Sequence, residues 1–117
     1  MSSELKSIQD IVSTSEKHQL YHNLIIQLKK DFTYANIEID LDDNTQPIQL
    51  KEILHEALYK LIQERFSDYL NLLYIIDISE EKIKQLDGSD IALLSEQVAF
   101  LVLKREWKKV WFKKNYS

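Results

Sequence analysis

Over residues 50–78, apolar side chains recur at helical spacing more densely than anywhere else in the chain. Leu50, Ile53, Leu54, Ala57, Leu58, Leu61 and Ile62 fall at the i, i+3, i+4, i+7 steps that draw a stripe down one side of a helix. From Tyr69 onward, Tyr69, Leu70, Leu72, Leu73, Tyr74, Ile75, Ile76 and Ile78 leave only Asn71 and Asp77 polar, and at about 100° per residue they cover nearly the whole circumference. A helical segment apolar all round is normally buried all round. Unbroken, this helix would span about 42 Å, long for a domain of this size, so a bend or restart is expected near Ser67 and Asp68.

The flanking segments give weaker periodicities. Residues 4–12 form a short helix with Ser3 as its N-cap and Leu5, Ile8, Ile11 and Val12 as its apolar side, so sparsely apolar that residues 1–12 are expected to be loosely held. Ser13, Thr14 and Ser15 offer caps for a second helix over residues 18–34, whose stripe is Leu20, Tyr21, Leu24, Ile25, Leu28 and Phe32. Residues 37–41 alternate strictly between apolar and polar, which is a strand signal. They either lie as an extended connection that packs Ile37, Ile39 and Leu41 onto the helices, or pair with residues 72–76. A two-stranded sheet is marginal, which favours the extended connection. Asp42 to Thr45 read as a solvated loop, and Pro47 sits where proline is tolerated, at a helix start. Ser79 followed by Glu80 and Glu81 reads as an N-cap with acids in the first turn of a short helix to about Leu86. Gly88 is then placed as a left-handed cap, and Ser89 or Asp90 as the cap of a last helix over residues 91–113 with Leu93, Phe100, Leu103, Trp107, Val110 and Trp111 inward.

Together these elements predict an all-α fold: one compact bundle of four or five helices spanning residues 1–117, with one short extended segment at residues 37–41. The predicted core is Leu24, Leu28, Phe32, Leu54, Leu58, Leu61, Leu73, Ile76, Leu94, Phe100, Leu103 and Trp107. A chain of 117 residues buries roughly 65% of its unfolded surface without help from cross-links, and it has no cysteine to supply one. One glycine and one proline make tight hairpins scarce, against β-rich folds. The absence of cysteine fits a reducing compartment, and no basic segment followed by an apolar run opens the chain, so a cytoplasmic location is expected. No stretch approaches the ~20 apolar residues that span a bilayer.

Charge changes the picture at one end. Residues 1–103 carry nine Lys/Arg against eighteen Asp/Glu and residues 104–117 carry six against one, so a body of −9 ends in a tail of +5. Within that tail Lys104, Arg105, Lys108, Lys109, Phe112, Lys113 and Lys114 interleave cations with an aromatic, a composition suited to phosphate contact with base stacking or to a membrane surface. The plainer reading is that cations in the last turns of a helix stabilise its dipole and that both tryptophans belong to the core.

Catalytic constellations are missing. His18 and His22 at i, i+4, and Glu52-x-x-His55, have metal-bundle spacings, but the Glu/His pair occurs once where dimetal sites need it twice, and Glu52, His55 and Tyr59 project onto a polar side. Asp42-Asp43, Glu80-Glu81 and Glu52/Glu56 have no neighbours that predict a buried cleft. With no cysteine, no Gly-x-Ser-x-Gly and no glycine-rich turn, no enzyme, cofactor or metal site is expected. What remains is a non-enzymatic protein-interaction or accessory module, with nucleic-acid binding by the basic tail as the alternative. The excess of apolar residues between Tyr69 and Ile78 marks Tyr69, Leu70, Leu72, Tyr74 and Ile75 as the expected interface, for a second copy or another protein.

Overall fold

The computed structural model describes residues 5–116, and among them the chain forms six helices and no strand: α1 (Ile8–Lys17), α2 (Tyr21–Tyr34), α3 (Pro47–Glu64), α4 (Phe66–Ile76), α5 (Glu80–Lys84) and α6 (Ile91–Tyr116). Helix α6 is the hub, packing against α1, α2, α3 and α4, while α3 also meets α4 and α2 meets both α1 and α4. The predicted all-α bundle is therefore observed, with six helices rather than four or five, and with α6 in the central place expected for residues 50–78.

Local chemistry explains each boundary. Helix α3 opens with Pro47 in its first turn and with the Gln46 backbone N–H donating to Gln49 Oε1 at 2.9 Å. The long apolar stretch breaks at Arg65 (φ −141°, ψ 60°), two residues before the expected point, and Arg65 Nε clamps the break by donating to Asp68 Oδ2 at 2.6 Å. Three helices end without glycine: Gln19, Asn36 and Asp77 each adopt positive φ, and the next N–H reaches back to Ser15, Phe32 and Leu73 carbonyls at 2.7, 2.9 and 3.0 Å. This is the Schellman closure, in which one left-handed residue lets the following amide satisfy an orphan carbonyl. Gly88, expected to be such a cap, has no positive φ; Asp90 starts α6 by accepting from Leu93 N–H at 3.2 Å.

The N-terminal expectations need correction. Ser3 and Glu4 lie outside the described residues. Helix α1 is capped by Ser7, whose Oγ accepts from Asp10 N–H at 3.1 Å, and Leu5, Ile8, Ile11 and Val12 are buried. Ser13, Thr14 and Ser15 lie inside α1 instead of capping α2. Ser15 is accommodated because its hydroxyl donates to Val12 O at 2.7 Å. The corner comes four residues later, at left-handed Gln19.

Residues 37–41 form the extended connection, with Ile37 and Leu41 buried and Ile39 packed against the same core. Ten of the twelve predicted core residues are buried; Leu94 and Phe100 are partly exposed at its edge. The radius of gyration, 13.5 Å, is that of a compact chain of this length, about 13 Å.

Candidate functional site

Helix α6 buries Ser95, Val98, Ala99, Val102, Leu103, Glu106, Trp107 and Val110. Its inward face is thus turned from the bulky arc read in the sequence: Leu93 is exposed, and Phe100 and Trp111 are only partly covered. On the true face stands Glu106, completely buried, a residue no sequence reading singled out. Opposite it on α2 lie Gln27 and Asp31, both buried. Lys109 Nζ donates to Asp31 Oδ2 at 2.8 Å and lies 3.3 Å from Glu106 Oε1, while Gln27 Nε2 donates to Asp31 at 3.3 Å and Lys113 Nζ to Gln27 Oε1 at 2.8 Å.

The protonation of this cluster follows from burial. Desolvation, and then the hydrogen-bonded Asp31 carboxylate beside it, push the Glu106 carboxyl up to about 9 against the opposing pull of Lys109. Desolvation would raise Asp31 too, but hydrogen bonds from Glu106, Lys109 and Gln27 and the Lys109 charge outweigh it and hold Asp31 below its ordinary value. At neutral pH the buried Glu106 carboxyl is therefore neutral beside the Asp31 carboxylate. The clefts described below are lined by none of Asp31, Glu106 and Lys109, so the cluster ties α2 to α6 rather than facing a ligand.

The predicted basic surface divides accordingly. Lys109 and Lys113 turn to α2, and Lys114 is exposed near the end of α6. Lys104, Arg105 and Lys108 meet Lys82 of α5 around a cleft of about 230 Å³, with Asp77, Ile78, Ser79 and Leu101 completing its wall. Arg105 donates from Nε to Asp77 O and from a terminal nitrogen to Asp77 Oδ2, both at 3.1 Å, which fixes the left-handed end of α4. Lys108 is pulled below its ordinary value by partial desolvation and then by the charges of Lys82, Lys104 and Arg105. Phe112 is exposed, as predicted, and its ring meets that of exposed Tyr116 at a tilt of 33° with centroids 4.7 Å apart.

Of the five residues expected at an interface, two are exposed, one is partly covered and two are buried. Tyr69 and Leu72 are buried, because α2, α3 and α6 pack against that side of α4, and Ile75 is partly covered. Leu70 and Tyr74 are exposed, at 50% and 83%, and Phe66 at 54% extends them into a row at i, i+4, i+8.

A larger apolar surface escaped the sequence reading. A cleft of about 820 Å³ runs between the start of α1, the start of α3 and the first half of α6, lined by Ile8, Val12, Ile48, Leu86, Leu93, Phe100 and Leu101 among others. Ile48 is 73% exposed, Lys6 and Lys51 stand on the rim, and the side-chain oxygen of Gln97, buried in the cleft wall, has no hydrogen-bond partner among the described residues. Its residues come from three distant parts of the chain, which is why no single stretch announced it.

The histidines are spent on structure. His18 is the C-cap of α1 and so does not share a helix with His22 as the i, i+4 reading supposes; its ring meets Trp111 edge-on and Trp107 at a tilt, with centroids 4.8 and 6.2 Å away. His55 Nε2 lies 3.1 Å from Ala92 O, joining α3 to the start of α6. Among the described residues no group of three or more His, Asp or Glu is placed to hold a metal ion, and no helix is long and apolar enough to cross a membrane. No family model, curated protein or solved structure matches this chain.

Proposed function

We propose that the protein is a non-enzymatic interaction module whose receptor surface is the cleft between α1, α3 and α6. The observation that carries this reading is the cleft itself: about 820 Å³, apolar along Val12, Leu93, Phe100 and Leu101, with an exposed isoleucine on its lip. An amphipathic helix laid in such a groove buries side chains at i, i+3/i+4 and i+7. The occupant has stated chemistry: an apolar helical face, an acidic residue facing Lys6 and Lys51, and a side-chain N–H donor for Gln97 Oε1, which has no hydrogen-bond partner among the described residues. A cysteine-free chain with this role suits a reducing compartment such as the cytoplasm.

Selection from a displayed library of amphipathic helices tests the reading. It predicts binders that carry apolar residues at helical spacing with acidic flanks, and that lose at least ten-fold in affinity to Leu93→Asp or Ile48→Asp while circular dichroism of the variant stays helical. Binders indifferent to both substitutions, or no helical binders at all, would refute it.

The row Phe66, Leu70 and Tyr74 favours a second reading, self-association through α4. It is about 12 Å long, shorter than a stable dimer with roughly 800 Å² per partner needs, which ranks it behind the cleft. Light scattering at micromolar concentration separates the two. A mass that stays at 13.9 kDa on dilution excludes the dimer, whereas a dimer abolished by Leu70→Asp/Tyr74→Asp supports it.

A further inference from the structure

Four cations facing one another across a cleft of about 230 Å³ are the least settled feature of the surface. Lys82 comes from α5 and Lys104, Arg105 and Lys108 from α6, and the single carboxylate in the wall, Asp77, is already engaged by Arg105. Like charges at close quarters repel, and the proton affinity of Lys108 is reduced by its three neighbours as well as by desolvation. A bound anion turns that repulsion into attraction.

The cleft does not end in isolation. Along α6 the residues Phe100, Lys104, Lys108, Phe112 and Tyr116 follow one another at i, i+4 steps, a ridge about 24 Å long. Lys104 Nζ sits 5.6 Å from the centre of the Phe100 ring, and beyond the cations Phe112 and Tyr116 stand exposed with their rings in tilted contact. Exposed aromatic rings in line with a cationic cleft combine the two elements by which proteins hold single-stranded nucleic acid: backbone phosphates in a positive groove and bases on aromatic faces.

We propose that this ridge is a binding site for single-stranded nucleic acid, with successive backbone phosphates against Lys82, Lys104, Arg105 and Lys108 and bases on Phe112 and Tyr116. A duplex hides its base faces and would leave both rings without a role. An anionic membrane needs its cations spread over a plane, whereas here they converge on one cleft. The acidic body, −9 over residues 1–103, limits affinity and makes it strongly dependent on salt. The site adjoins the apolar cleft: Leu101 lines both, and Phe100, where the ridge begins, lines the apolar one.

Fluorescence anisotropy of the full chain with a labelled twelve-nucleotide single strand, at low salt, is the test. With three or four phosphates contacted, log affinity should fall against log salt with a slope of about −2 to −3. Lys104→Glu/Lys108→Glu should cut affinity at least thirty-fold and flatten that slope. Phe112→Ala/Tyr116→Ala should cut it about ten-fold while leaving the slope unchanged, since stacking carries no counterion release. Lys60→Glu, an exposed cation on α3, is the control and should lower affinity less than three-fold. Both double variants change side chains with exposed or partly exposed positions, and their helical circular dichroism is checked first. The proposal is overturned by no anisotropy change at low salt, by equal or tighter binding of the matching duplex, by an unaffected aromatic variant, or by binding to phosphatidylserine vesicles without binding to the oligonucleotide.

Discussion

Replacing Glu106 by Gln removes one titrating proton from the middle of the α2–α6 contact while keeping the side chain's shape. In the folded protein the carboxyl is fully buried and its pKa is pushed up to about 9, against 4.5 for an unperturbed glutamate. Because the folded value is the higher one, the folded state keeps a proton that the unfolded chain releases. The resulting stabilisation is complete below about pH 4.5 and is lost as pH rises toward 9. Within that window one extra bound proton gives a slope of roughly 1 kcal/mol per pH unit, so between pH 5 and pH 8 the native protein should lose on the order of 3 to 4 kcal/mol through this group. Asp31, whose folded value is lowered, acts in the opposite sense: its contribution is present above its unfolded value, 3.8, and lost at more acidic pH, outside this range. Every other titrating group is common to both proteins, so the difference between them isolates Glu106. Urea unfolding at pH 5, 6, 7 and 8 measures it. The Glu106→Gln protein should show a flatter dependence, gaining on the native protein as pH rises. Parallel curves would mean that Glu106 is ionised in the fold and that the protonation pattern derived for the cluster is wrong.

Two further substitutions probe the same packing. Lys109→Met removes the cation 2.8 Å from buried Asp31 and should cost about 2–4 kcal/mol in urea unfolding, with part of the loss recovered in Lys109→Met/Asp31→Asn; an equal or larger loss in the double variant would contradict the pairing. Leu58→Ala, at a fully buried position on α3, should cost about 2–5 kcal/mol, and a loss under about 1 kcal/mol would show that α3 does not face the core as described.

Much of the fold was legible because it rests on long stripes. The α3 face (Leu50, Leu54, Leu58, Leu61) and the α2 face (Leu24, Leu28, Phe32) are buried as their spacing requires, and the alternation at residues 37–41 correctly put Ile37 and Leu41 inward. Helix α6 is legible in part: Leu103, Trp107 and Val110 are inward as their spacing requires, while Leu93, Phe100 and Trp111 are not fully covered, because the first half of the face that meets four neighbours is carried by the smaller Ser95, Val98, Ala99 and Val102, which allow close approach. Continuing that line at three- and four-residue steps leads to Glu106 and Val110, so the signal was present and was overruled by the expectation that a glutamate faces water. The Asp31–Lys109 contact spans 78 positions and had no local trace. Likewise the apolar cleft assembles the ends of three helices, and only tertiary packing shows that Ile48 and Leu93 stand exposed beside it.

The proposal that this cleft receives a helix is tested most directly by where a bound helix lies. Backbone amide chemical shifts of the isotope-labelled protein, followed as a selected amphipathic peptide is added, report the contacted residues one by one. The largest changes should fall on Ile8, Val12, Ile48, Leu93, Gln97 and Phe100, while Phe66, Leu70 and Tyr74 stay still. Changes concentrated on the α4 row, with the cleft residues unmoved, would contradict it.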